Sequence, residues 1–120
     1  MRDVIIACDF ADQEKLFKFL EPFKGLNPYL KLGMEIIYRE GPQLVRKLKE
    51  LGFKIFLDLK LHDIPNTVEK AMRNIATLGV EITNCQILDP LILKTYHFIK
   101  ENIELKEINK VLIRICKNEI

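Results

Sequence analysis

The sequence has no long apolar run and little net charge, and both absences exclude classes of protein. No uninterrupted apolar stretch approaches the roughly 20 residues that a membrane-spanning helix requires. The opening segment MRDVIIACDF is too short and too soon charged for a secretory signal, so we expect a cytoplasmic protein. A net charge of +2 over 120 residues gives no reason to expect binding to nucleic acid or to an anionic membrane surface.

Cysteine is also scarce. The three cysteines, Cys8, Cys85 and Cys116, lie far apart and form no C-x-x-C spacing. A disulfide framework or a zinc site would need closer spacings or more cysteines. We therefore expect three reduced thiols in the interior of the protein.

Apolar runs of strand length alternate with segments of helical periodicity along the chain. Candidate strands begin at residues 4, 29, 54, 80 and 111, so the first three intervals are 25, 25 and 26 residues. Strand and helix repeating at this period predict βα units and a parallel sheet. The first strand is an apolar run and is expected to be buried on both faces. The predicted strands are VIIACDF (4–10), YLKLGMEI (29–36), KIFLDLKL (54–61), VEITNCQIL (80–88) and VLIRIC (111–116), and the predicted helices begin near Asp12, Pro42, Pro65 and Pro90.

Four βα units and a fifth strand limit the fold to two architectures. Eight such units, in about 200–250 residues, make a TIM barrel, and 120 residues hold about half of one. A doubly wound sheet of five strands is the competing architecture. We predict a single α/β domain over residues 1–120 that forms about the first half of a (β/α) barrel.

The segment DLKLHDIPNT, residues 58–67, concentrates charge at the end of an apolar strand. Side chains alternate across a strand, so Asp58 and Lys60 are expected to share one face while the neighbouring leucines share the other. In a βα barrel the charged pair would point inward near the carboxyl end of the strand, where the active sites of that fold lie. A solvated edge strand is the alternative, and the apolar helices predicted on both sides of the strand argue against it.

Two other predicted strands place charges at the same end of the sheet. Asp9 closes the first strand, and Lys31 lies inside the second strand shortly before Gly33. Buried charges are costly unless they are paired, so a network of Asp and Lys side chains is expected there. Such a network would hold Lys60 protonated as a general acid and would present a fixed carboxylate to a ligand.

These residues resemble the signature of the orotidine 5′-phosphate decarboxylase family. The resemblance rests on DLKLHDIPNT and extends to IIACDF around Asp9 and to KLGMEIIYREGP from Lys31. It covers about residues 4–83 of the chain. Related sugar-phosphate enzymes share only the D-x-K-x-x-D part of the signature, and HDIPNT separates the decarboxylases from them.

The resemblance implies roles for the charged residues. Lys60 would donate a proton to C6 of the pyrimidine after carbon dioxide leaves, and Asp58 would press against the substrate carboxylate. Lys31 would link the charge network to the ribose, and Asp9 would bind the nucleoside. The implied reaction converts orotidine 5′-phosphate to uridine 5′-phosphate in pyrimidine biosynthesis, without a metal or another cofactor.

The resemblance also implies a dimer. Asp63 and Thr67 would reach into the active site of a partner subunit, and Ile64 would join the residues that bind substrate. The implied partners are therefore a small-molecule nucleotide and a second copy of the chain, with no nucleic acid and no membrane.

The likeness to the family fades after Thr83. The family usually closes its fourth strand with histidine and continues with small residues and a glycine pair, whereas residues 84–120 contain no glycine. The late loops that grip phosphate in such barrels have no counterpart in 120 residues, so a truncated, frameshifted or divergent copy is expected. Two alternatives stay open. One is a magnesium-dependent sugar-phosphate decarboxylase or aldolase of the same superfamily, and the other is a non-catalytic half-barrel that only binds ligand or self-associates.

Overall fold

The computed structural model describes residues 4–88 and 110–116. The chain forms two compact units, Met1–Asp58 and Leu59–Ile120. Between residues 5 and 88 the described strands and helices alternate, as the repeating sequence pattern predicts. Among the helices of the described residues, none has both the length and the apolar character that crossing a bilayer would demand.

The described residues of the first unit form three parallel strands. They are β1 (Ile5–Ala7), β2 (Tyr29–Gly33) and β3, which spans Lys54–Asp63 and belongs to this unit as far as Asp58. β1 pairs with β2 from Ile5 opposite Tyr29, and β2 pairs with β3 so that Gly33 lies opposite Asp58. The predicted parallel arrangement is confirmed, and it brings the carboxyl ends of the strands to one edge of the sheet.

Three α-helices accompany these strands. They are α1 (Gln13–Leu20), α2 (Met34–Glu40) and α3 (Pro42–Glu50), with a 3-10 helix at Glu21–Phe23 after α1. Asp12 caps α1 as predicted, because its carboxylate accepts a hydrogen bond of 2.9 Å from the N–H of Lys15. The same end of α1 also has a distant contact, in which the N–H of Gln13 donates to Glu40 Oε1 at 3.2 Å.

The second predicted strand is too long, because a helix begins within it. β2 ends at Gly33, which is the N-cap residue of α2. The run that follows is apolar enough to continue a strand, but only Ile36 is fully buried, while Met34 and Tyr38 are exposed. Gly41, whose φ of +74° suits glycine, then separates α2 from α3.

Apolar side chains form the core of the first unit. Alternation along β2 buries Leu30 and Leu32 and leaves Lys31 half-buried on the other face of the strand. The apolar face of the strands is thus distinct from the face that carries the charged residue. The core residues, all at most 1% exposed, are Cys8, Leu16, Leu20, Leu30, Leu32, Ile36, Leu44, Val45, Leu48, Phe53, Ile55 and Leu57.

β1 is shorter and more exposed than predicted. The strand spans 3 residues, and Val4 and Ile5 at its start are 65% and 48% exposed. Within the described residues β1 pairs with β2 alone, so its other edge has no neighbouring strand to cover these side chains. The expectation of burial on both faces was therefore wrong.

In the second unit, the described residues form the end of β3, one helix and two further strands. These are α4 (Pro65–Ala76), β4 (Ile82–Leu88) and β5 (Lys110–Cys116). β4 and β5 are parallel, with Ile82 opposite Lys110, as the strand predictions require. The helix predicted to begin near Pro90 lies outside the described residues.

The prediction for α4 is confirmed. The helix begins at Pro65, which fits the first helical position because its missing N–H would have no partner there. Val68, Met72 and Ile75 recur at helical spacing and are buried, so they form the inner face of the helix. The helix ends three residues before Gly79, whose φ of +71° turns the chain toward β4.

Candidate active site

Lys31 and Asp58 lie side by side on neighbouring strands of the first unit. The register of β2 and β3 places Gly33 opposite Asp58. Lys31 lies two residues before Gly33 on β2, so its side chain reaches Asp58 diagonally across the two strands. Lys31 Nζ is 3.9 Å from Asp58 Oδ2. The Asp58 side chain is 10% exposed and the Lys31 side chain 31% exposed, so the carboxylate is almost covered while the ammonium keeps access to water.

The Lys31–Asp58 pair contributes less to stability than its charges suggest. At an effective dielectric constant of about 20, opposite charges roughly 4 Å apart attract each other by about 4 kcal/mol. Removing the carboxylate from water offsets much of that gain, and 3.9 Å is too long for a direct hydrogen bond. The arrangement therefore holds a carboxylate in a fixed position opposite the end of β2 rather than stabilising the fold strongly.

Asp9 lies at the same end of the sheet. The residue before it, Cys8, is hydrogen-bonded to β2, because its N–H donates to the carbonyl oxygen of Lys31 at 2.9 Å. A β-carbon placed on Gly33 would lie 4.0 Å from Asp9 Oδ1, so the carboxylate stands near the backbone at the end of β2. The structure thus brings Asp9, Lys31 and Asp58 to one end of the sheet within the first unit, as the sequence predicts.

Lys60 has an unusual backbone for a strand residue. It lies inside β3, yet its φ is +49°, in the left-handed region. Among the described residues other than glycine, only Asn27 also has a positive φ. The conformation costs a residue with a β-carbon about 1–3 kcal/mol and persists only where the surroundings require it. The alternation that predicts a shared face for Asp58 and Lys60 presumes an extended backbone, and this φ departs from it.

A contact that the sequence does not predict accompanies the unusual backbone. The N–H of Lys60 donates to Asn84 Oδ1 at 2.9 Å. Asn84 lies on β4 between Thr83 and Cys85, which are 0% and 1% exposed. A polar side chain inside a strand was the available signal, but nothing in the sequence links it to a residue 24 positions earlier.

The remaining predicted site residues lie where β3 ends and α4 begins. The carboxylate of Asp63 accepts a hydrogen bond of 2.7 Å from the N–H of Ile64, the N-cap residue of α4. Thr67 follows in the first turn of that helix. All three residues are exposed, with Ile64 at 56%. That they reach a second subunit stays a prediction.

Cys8 and Cys85 are buried free thiols, as expected. Burial raises the pKa of each thiol to about 11, and at Cys8 the neighbouring Asp9 charge adds to the rise. Both thiols are therefore uncharged at neutral pH, which makes them poor nucleophiles. The side chain of Cys116 lies outside the described part of the chain. Within that part, no three His, Cys, Asp or Glu side chains are grouped as a metal ion would require.

Comparison with known proteins shows what this chain is similar to. The model of the "Orotidine 5'-phosphate decarboxylase / HUMPS family" matches residues 2–92. Orotidine 5′-phosphate decarboxylase of Enterococcus faecalis is 62% identical over 81 residues, and that of Bacillus cytotoxicus is 51% identical over 83 residues. These alignments cover 67% and 69% of this chain but 34% and 35% of the relatives. The chain thus spans about a third of the length of the curated relatives it matches.

Solved structures give the same result. An uncharacterized conserved protein from Geobacillus kaustophilus aligns with a TM-score of 0.67 at 49% identity, over 68% of this chain and 38% of that one. Orotidine 5′-phosphate decarboxylase from Lactobacillus acidophilus also has a TM-score of 0.67, at 41% identity, over 72% of this chain and 39% of that one. The predicted fold class, an α/β chain that forms part of a (β/α) barrel, is confirmed.

The matched region includes the strand ends described above. Lys31, Asp58 and Lys60 all lie within it, and so does Asn84. The resemblance expected over about residues 4–83 is confirmed, and the family match continues to residue 92. The chain belongs to the orotidine 5′-phosphate decarboxylase / HUMPS family.

Proposed function

We propose that this chain carries part of the active site of an orotidine 5′-phosphate decarboxylase, which forms uridine 5′-phosphate and carbon dioxide in pyrimidine biosynthesis. The observation that carries the proposal is the nearly buried Asp58 carboxylate beside Lys31, on the strand that continues to Lys60. The segment HDIPNT, which begins two residues after Lys60, favours the decarboxylase over the sugar-phosphate enzymes of the same superfamily.

Asp58 is the residue proposed to face the carboxylate of the substrate. Two carboxylates held together repel each other, and the repulsion disappears when the substrate carboxylate leaves as carbon dioxide. In this step the bond between C6 of the pyrimidine and the carboxylate carbon breaks, and its electron pair stays on C6. The Asp58 side chain is only 10% exposed, so little water screens its charge and the repulsion is strong.

Lys60 is the proposed donor of the proton that C6 takes up. An ammonium beside C6 stabilises the negative charge that forms there, and it then transfers a proton to the carbon. Lys31 balances the charge of Asp58 and is proposed to contact the ribose, while Asp9 is proposed to hold the nucleoside. The proposed steps need no metal or other cofactor.

The proposed protein is a cytoplasmic homodimer. Asp63 and Thr67 would enter the active site of the partner subunit, and Ile64 would contact the nucleotide. The exposure of all three residues supports this assignment, since a side chain buried in its own subunit would be unable to reach another one.

Release of labelled carbon dioxide from carboxyl-labelled orotidine 5′-phosphate tests the proposed reaction. Because the chain spans about a third of its relatives, we expect turnover to be many orders of magnitude below that of a complete barrel. Lys60→Ala is expected to lower kcat by more than the roughly 10²–10⁴-fold that a general acid alone contributes, because the charge balance is lost with the donor. Lys70→Ala, an exposed lysine on α4, is the matched control and should leave kcat unchanged. A Lys60→Ala variant that kept a tenth of the rate would exclude Lys60 as the donor.

Two further measurements separate the proposal from its alternatives. Loss of activity in the presence of a metal chelator would favour the magnesium-dependent sugar-phosphate enzyme. Binding of uridine 5′-phosphate in a calorimeter without any turnover would favour the half-barrel that only binds ligand. A chain that neither binds this nucleotide nor turns over would contradict the proposal.

A further inference from the structure

The left-handed backbone of Lys60 needs a contact that maintains it. A residue with a β-carbon prefers extended backbone in a strand, and the left-handed region is less stable for it. The surroundings must therefore favour the observed φ of +49°. The hydrogen bond of 2.9 Å from the N–H of Lys60 to Asn84 Oδ1 acts directly on the backbone of this residue.

Asn84 is well placed to hold a backbone group. It is half-buried on β4, and its neighbours Thr83 and Cys85 are almost completely covered. β4 is also paired with β5 along its whole length. A paired strand with buried side chains on both sides of Asn84 restrains its backbone, so the amide oxygen is an acceptor of nearly fixed position.

We infer that Asn84 is a positioning residue for Lys60. The φ of a residue sets the direction of its β-carbon, so a change from left-handed to extended backbone would redirect the whole lysine side chain. The free energy of one hydrogen bond is of the same order as the cost of the left-handed conformation, so this contact is strong enough to decide between the two. Asn84 thus directs the ammonium of Lys60 without contacting substrate. The inference rests on the proposed function, in which Lys60 donates the proton.

The first test measures the backbone of Lys60 itself. Scalar and residual dipolar couplings in NMR spectra report its φ, and amide hydrogen exchange reports its N–H. Asn84→Ala is expected to move φ toward extended values and to speed exchange of this amide by about three- to tenfold. Asn84→Asp keeps an acceptor oxygen and is expected to preserve both observations. Asn74→Ala, which changes an exposed asparagine on α4, is the matched control and should change neither.

The second test separates positioning of the lysine from general stability. In the carbon dioxide assay, Asn84→Ala is expected to lower kcat by at least tenfold with little change in KM, and Asn84→Asp should recover most of the loss. A purely structural role would lower the amount of folded protein instead, which urea unfolding measures independently. Asn84→Val, which suits a strand and has no acceptor, replaces the alanine variant if that variant fails to fold.

The outcomes that would overturn the inference differ from those that would overturn the proposed function. An unchanged φ and exchange rate for Lys60 in the variants without an acceptor would overturn the inference, whatever the turnover. An unchanged kcat in those variants, with Lys60→Ala inactive, would overturn it as well. A wild-type chain without turnover or nucleotide binding would overturn the proposed function, and the NMR result would still decide whether Asn84 holds Lys60.

Discussion

Replacing Lys60 with glycine should cost less stability than replacing it with alanine. Both substitutions remove the lysine side chain beyond its β-carbon, so the contacts of that chain cancel in the comparison. Alanine retains the cost of about 1–3 kcal/mol that a β-carbon meets at a φ of +49°, whereas glycine adopts this φ freely. Glycine is more flexible in the unfolded chain, which reduces its advantage by about 0.5–1 kcal/mol. Lys60→Gly is therefore expected to be about 0–2.5 kcal/mol more stable than Lys60→Ala.

His62 supplies the matched control on the same strand. It is exposed, it lies two residues after Lys60 in β3, and it does not have a positive φ. At this position glycine is expected to be about 0.5–1 kcal/mol less stable than alanine, which is the ordinary order in a strand. The difference between the two positions isolates the cost of the left-handed backbone at Lys60.

Urea unfolding, monitored by circular dichroism, compares the glycine and alanine variants at Lys60 and at His62. If their m-values agree, differences between their midpoints report differences in the free energy of unfolding. Lys60→Gly also lacks the proposed proton donor, so it should be more stable than Lys60→Ala and should also lose turnover. If the glycine variant is less stable than the alanine variant by the same amount at both positions, Lys60 carries no backbone strain and the prediction is wrong.

Three further predictions concern other parts of the molecule. Lys31→Ala is expected to destabilise the chain by about 1–3 kcal/mol in urea unfolding because it removes a positive charge beside the nearly buried Asp58 carboxylate. Adding Asp58→Asn should recover part of the loss, and simple additivity of the two changes would contradict this. With the third cysteine changed to serine, Cys8 and Cys85 should be alkylated roughly a hundredfold more slowly at pH 8 in the folded chain than in urea, because a pKa of about 11 leaves little thiolate. The alkylation rates of the folded chain should rise with pH toward 11 as thiolate forms. An alkylation rate equal in the folded and the urea-denatured chain would show that the thiols are accessible and would contradict the prediction. Because β1 is an exposed edge strand, we expect the 120-residue chain to self-associate. Ile5→Lys should reduce the self-association measured by light scattering, and a monomeric wild-type chain would contradict the prediction.

The meeting of charges at one end of the sheet was predictable from the sequence. Parallel strands present their carboxyl ends on the same side, so charges late in two neighbouring strands come together once the pairing is parallel. Lys31 and Asp58 meet this condition, and the structure places their charged atoms 3.9 Å apart. Pro65 was equally informative, because proline is tolerated in the first turn of a helix and disrupts its interior.

The helix α2 and the backbone of Lys60 were beyond what the sequence could predict. The apolar residues around Ile36 suit a short strand as well as a short helix, and packing alone decides between them. The leucines on both sides of Lys60 indicate a regular strand, so the local pattern hides the left-handed φ. The bond from Lys60 to Asn84 joins residues 24 positions apart, and only the tertiary structure brings them together.

The two contacts at the start of α1 become available at different times while the chain is being synthesised. Asp12 adjoins the helix, so its bond to the N–H of Lys15 can form as soon as the first turn exists. Glu40, which accepts the N–H of Gln13, lies 27 residues later in the chain. At translation rates of about 5–20 residues per second, it follows after about 1–5 s. α1 therefore begins with a local cap and gains its second anchor only when α2 has been made, so the direction of synthesis sets the order in which this helix is secured.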